Sequence, residues 1–294
     1  LTSTGGSVRL SSGGSKTGVS GSLILKTGSS KNDKSGSINI ASGKSGSTYS
    51  GSISLQTGLS LQGNSGSIVL SSGSSFEHGG NIILESGSSE NETGGRIRFL
   101  SGSSDKMASG EISITTNSKS EGSGKIQVET GNSSGGNSGA LLVSSGNSVS
   151  GSTGDVVLKT GSSVSEKSGS VLITSGSSDV NTGGSILLQS GASSIGSSGK
   201  ISLLTSNGMT QSKSGGMHFQ TGTSVEDTSG EFLLSTGHSS SKSGNVLIAT
   251  GKSASGEAGT IGIFSGASDT QTGGSLVIQS GFSDIGASGD RKSV

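Results

Sequence analysis

A period of about 15 residues runs through the whole chain, and it constrains the fold more than any other feature. The template is S-G-S-I-x-L-x-T-G-x-S-x-x-x-x. It starts at Gly5 and again at Ser20, Ser35, Ser50, Ser65, Gly79, Gly94, Ser109, Ser123, Ser138, Thr153, Ser168, Gly183, Ser198, Ser214, Ser229, Ser243, Ala258 and Gly273. That makes about 19 repeats, with a broken one from Ser288. A second period of about 90 residues lies over the first: Thr182-Gly-Gly-Ser-Ile-Leu-Leu-Gln-Ser-Gly returns as Thr272-Gly-Gly-Ser-Leu-Val-Ile-Gln-Ser-Gly. Fixed periods of this kind mark solenoids and arrays, in which each unit contacts its neighbours.

Within a repeat the readable element is a short strand. Leu23 and Leu25, or Val171 and Ile173, stand two residues apart and so share one face of an extended segment. The Thr or Ser two places further on shares that face. Gly at template positions 2 and 9, such as Gly21 and Gly28, brackets the segment, where it permits positive φ and close packing. The remaining residues are polar and turn-prone, and changes of repeat length fall among them, at Ser118 to Gly122 and Asn207 to Lys213.

Two aliphatic residues cannot offset the entropy of ordering a fifteen-residue unit, so repeats must share ladders with neighbours. The expected fold is therefore all-β, a single parallel β-solenoid, or β-helix, over 1–294. One repeat per coil would set the aliphatic row against the charged segment, so two or three repeats per coil are expected. Three is favoured by like loops three repeats apart, such as Asp179 to Thr182, Val225 to Thr228 and Asp269 to Thr272. The matching loops at Ile195 and Ile285 lie six repeats apart and fit either number.

Composition excludes several functions. Lys plus Arg is 19 and Asp plus Glu is 19, so no basic field draws nucleic acid, and aromatic residues, at 2%, offer no stacking platform. There is no Cys, hence no disulfide framework or thiolate metal site. No apolar run is long enough for a membrane span. No cofactor is implied. His78 alone among the three His neighbours a carboxylate, Glu77, which reads as a solvated loop pair. His218 and His238 have no evident partner, and the acidic residues are scattered. A carbohydrate-active β-helix enzyme would need clustered carboxylates, so a non-enzymatic role is expected.

Position 5 of the template points away from the aliphatic face. It is apolar at Val69, Ile83, Leu142, Val157, Leu172, Leu233 and Leu247, and polar at Asn39, Ser113, Gln127, Ser202 and His218. The apolar set is a candidate assembly surface, unless the loops of the chain itself cover it. Asn91 and Asn132 begin glycosylation sequons on loops. Regular Thr residues such as Thr57 and Thr130 share the aliphatic face, and outward neighbours such as Gln56 and Glu129 are irregular, which disfavours an ice-binding face.

The run S-G-S-I-S-L-Q-T-G from Ser50 to Gly58, repeated along the chain, resembles the Ser/Gly-rich β-solenoid repeats of large surface proteins in single-celled algae and their large viruses. The resemblance implies an extracellular or virion-surface structural or adhesive role and carries no functional residues with it. The template is already running at Thr4 and stops partway through a repeat at Val294. Uncapped strand edges would pair further. The expectation is a building block of an extracellular fibre, filament or coat, stacking head to tail with copies of itself. The alternatives are a slice of a longer array, or an adhesive solenoid binding ice, glycans or other surface proteins.

Overall fold

The computed structural model describes residues 5–118, 122–209 and 212–281. It corrects the expected fold. Among the described residues there is no helix, no strand and no sheet, and the one pairing is an isolated antiparallel bridge between Ser118 and Ser123. The chain is therefore neither a β-solenoid nor a β-helix, and the question of two or three repeats per coil falls with that architecture. The terminal segments meant to carry end-to-end strand pairing, 1–4 and 282–294, lie outside the described residues, as do Ile285 and the broken repeat from Ser288.

The 15-residue period survives as a local plan. Among the described residues each repeat is an open extended segment followed by a loop. The Ser at template position 11 makes the turn. In fourteen repeats its Oγ accepts the backbone N–H three residues on, at 2.9–3.2 Å, from Gly18 on Ser15 through to Gln271 on Ser268. These fourteen are the repeats of 15 residues that have described loops. Repeats of other lengths turn differently. In the 14-residue repeats from Ser65 and Ser229 the donor is only two residues on, Glu77 to Ser75 and Ser241 to Ser239. In the 16-residue repeat from Ser198 position 11 is Gly208, and the turn is made instead by the Ser212 N–H on the Met209 carbonyl, 2.9 Å. A Cβ on Gly208 would collide with the Ser212 carbonyl oxygen.

The second local device closes the neck of the loop. The N–H of Gly at position 2 donates to the carbonyl of Gly at position 9 of the repeat before. This occurs at Gly21 to Gly13, Gly80 to Gly73, Gly95 to Gly87, Gly110 to Gly102, Gly184 to Gly176, Gly199 to Gly191 and Gly274 to Gly266, at 2.8–3.0 Å. Glycine at position 2 is needed for this approach. A Cβ on Gly184 would lie 3.1 Å from the Ser175 Cβ and 3.4 Å from the Gly176 nitrogen. Position 9 has open space, as at Gly191. The expected positive φ at these corners is not used: among the described residues only Gly122 has it, at 132°.

The chain falls into two units, Leu1–Ser144 and Ser145–Val294, each built on this plan. Among the described residues neither has an apolar core, and none is buried. The surface area is 30580 Å², against about 11,000 Å² for a folded monomer of this mass and about 41,000 Å² for its unfolded chain. The physical reason lies in the composition. Only 26% of residues are hydrophobic, while Ser at position 11 and the paired glycines satisfy backbone groups within one loop. Local side-chain-to-backbone bonds of this kind compete with ladders, and here they prevail.

Candidate functional site

The best-covered side chains are hydroxyls. Among the described residues only eight are half-buried: Ser86, Ser101, Ser190, Thr221 and Ser280 at position 8, and Ser45, Ser60 and Ser253 at position 11. The aliphatic side chains remain in solvent, in graded fashion. Ile82 is 55% exposed, Ile83 78% and Leu84 58%; Val171 is 50%, Leu172 83% and Ile173 61%. Positions 4 and 6 thus retain a shared, less exposed side, as the period of two demands, while position 5 stands outward. The alternation read from sequence is present without the sheet it would have served.

The candidate contact residues sit at the centres of all-apolar triplets. Val69, Ile83, Leu142, Val157, Leu172, Leu233 and Leu247 are 72–87% exposed. Each is more exposed than the apolar residue before it and, except at Val157, than the one after it. Their own loops do not cover them. Such uncovered Leu and Val side chains can exclude water only against a surface supplied from elsewhere. The sequon residues Asn91 and Asn132 are exposed, with Asn91 inside the turn in which Glu92 N–H donates to Ser89 Oγ, 3.1 Å.

One apolar hollow of about 380 Å³ is lined by Phe99, Ile112, Ser113 and Ile114. It joins position 6 of one repeat to positions 4 to 6 of the next. Ser113 is its sole polar lining residue, so it offers little to orient a polar ligand. His78, His218 and His238 are all exposed. Among the described residues no group of three or more His, Cys, Asp or Glu could hold a metal ion, and no helix is long and apolar enough to cross a membrane.

Position 8 is a site that sequence reading passed over. Every neck with a Gly–Gly bond follows a Ser there: Ser12, Ser72, Ser86, Ser101, Ser175, Ser190 and Ser265. None follows a Thr. Where Thr stands, its methyl faces the position-2 glycine: a Cβ on Gly259 would lie 3.4 Å from Thr250 Cγ2, and one on Gly36 3.5 Å from Thr27 Cγ2. No described neck that follows a Thr carries the Gly–Gly bond. Ser42 and Ser145 precede open necks; nothing in the structure explains these two. The Ser/Thr choice was visible in the sequence, but in so Ser-rich a chain it read as interchangeable.

No family model, curated protein or solved structure matches this chain. The reading of its function therefore rests on its own residues.

Proposed function

We propose that this chain is a non-catalytic structural building block of an extracellular fibre or coat, held to further copies of itself through its uncovered aliphatic residues. The observation that carries the proposal is that no described Ile, Leu, Val or Phe is buried, although such residues recur at positions 4 and 6 in nearly every repeat, and in about half of the repeats at position 5 as well. A chain so built gains the hydrophobic term only by association. Zero net charge removes the self-repulsion that would oppose it. A second copy presents the same 15-residue spacing of aliphatic rows, which an unrelated partner would lack. The likeness of the Ser50 to Gly58 run to algal and viral surface repeats agrees with an extracellular or virion-surface location, and the exposed sequons at Asn91 and Asn132 suit such a setting.

Adhesion to ice or glycans has less support. An ice-binding face wants outward Thr, whereas Thr27, Thr130, Thr160 and Thr250 turn their methyls toward a backbone glycine. The test is sedimentation velocity over a concentration series, with negative-stain imaging of the largest species. The expected result is mass growing with concentration into filaments or sheets. A species that stays monomeric up to the solubility limit would overturn the proposal.

A further inference from the structure

Position 5 is also apolar at Ile24, Leu187 and Val277, and the ten outward apolar residues are not evenly spread. Val69, Val157 and Leu247 form one set, Ile83 and Leu172 a second, Leu142 and Leu233 a third, and Leu187 and Val277 a fourth; within each set the spacing is 88–91 residues, and Ile24 stands apart. Most of them fall into blocks of adjacent repeats, 68–84 and 141–143 in the first unit and 156–188 and 232–248 in the second, with single triplets at 23–25 and 276–278. Between the blocks position 5 holds Arg98, Ser113 and Gln127, then Ser202 and His218. Positions 4 and 6 are apolar in blocks and intervals alike. Position 5 is what distinguishes them, and it is the most exposed of the three in all but one of the ten triplets.

We infer that copies of this chain dock on one another through these blocks, and not along the whole repeat array. The inference rests on the self-association proposed above. It goes further by assigning the contact to the triplets centred on Val69, Ile83, Leu142, Val157, Leu172, Leu187, Leu233 and Leu247 and leaving the repeats that are polar at position 5 free. The occupant is a second copy, because only a surface with the same spacing of blocks can cover several at once. A docked Leu142 or Leu172 finds a like block opposite, whereas an interval offers it Arg98 or Gln127, which would lose water without a partner. Engaging several blocks together multiplies their individual weak affinities.

The closing experiment compares two full-length variants that each add three positive charges. One carries Leu142→Lys, Val157→Lys and Leu172→Lys; the other carries Asn39→Lys, Ser113→Lys and Ser202→Lys. All six positions are exposed. Association is read by sedimentation velocity, and amide exchange at the Gly184 and Gly199 necks checks that the loops are intact in both. The block variant should need at least about tenfold more protein to associate, and the interval variant less than about threefold. Equal shifts, with the wild type still associating, would overturn the block assignment alone. A wild type that never associates would overturn the self-association reading, and the block assignment with it.

Discussion

At the scale of the residue, glycine and serine have separate, fixed duties in what looks like low-complexity text. Glycine at position 2 allows two backbones to meet, glycine at position 9 supplies a carbonyl and has room to spare, and serine at position 11 closes a turn. The two glycines should therefore respond differently to the same change. Gly184→Ala places a Cβ against Ser175 and Gly176 and breaks the neck bond. Amide exchange at position 184 should then rise by about two- to tenfold, the span set by the net worth of one hydrogen bond. Gly191→Ala meets nothing within 4 Å and should leave exchange at its own neck unchanged. Equal effects from the two substitutions would show that the necks are not closed as described.

At the scale of the element, the repeat is a loop unit and not a strand unit. The sequence made the period, the segment boundaries and the outward position 5 legible, because apolar alternation and glycine spacing report local geometry directly. Leu172 between Val171 and Ile173 stands outward as its place predicts. The ladder was not legible. Whether neighbouring extended segments pair depends on the balance between burial and chain entropy, and the alternation is the same whether or not they do. The turn at position 11 was hidden for another reason: Ser is so frequent that a functional Ser carries no signal of its own. The link between repeat length and turn span, with three-residue reach in 15-residue repeats and two-residue reach at Ser75 and Ser239, emerges only once the hydrogen bonds are seen. Position 8 allows a sharp check. Ser175→Thr introduces a methyl at a closed neck and should open the Gly184 to Gly176 bond, raising exchange at Gly184 while the turn bond from Asn181 N–H to Ser178 Oγ persists. Loss of both together would mean that neck and turn form one cooperative unit.

At the scale of the whole molecule, the chain keeps its backbone partly satisfied and its aliphatics unsatisfied. This division gives the single copy local order without a core and gives association a driving force. Because that force is hydrophobic, it weakens on cooling; warming from about 5 to 25 °C should shift the sedimenting species toward larger assemblies, and a shift toward smaller ones would point to polar contacts instead. The proposed blocks add a length scale: contact through them would recur at intervals of roughly six repeats, with repeats polar at position 5 between. The central claim is that a lone chain protects its turns and necks while leaving its extended segments open. Hydrogen exchange measured residue by residue, first on dilute monomer and then on associated protein, tests this most directly. The account predicts that protection in the monomer is confined to amides such as Gly184, Gly199, Gly151 and Asn181, and spreads on association to segments such as 141–143 and 171–173. Uniform protection of the extended segments in the dilute monomer would contradict it, because a single chain would then be covering its own backbone and its own aliphatic rows.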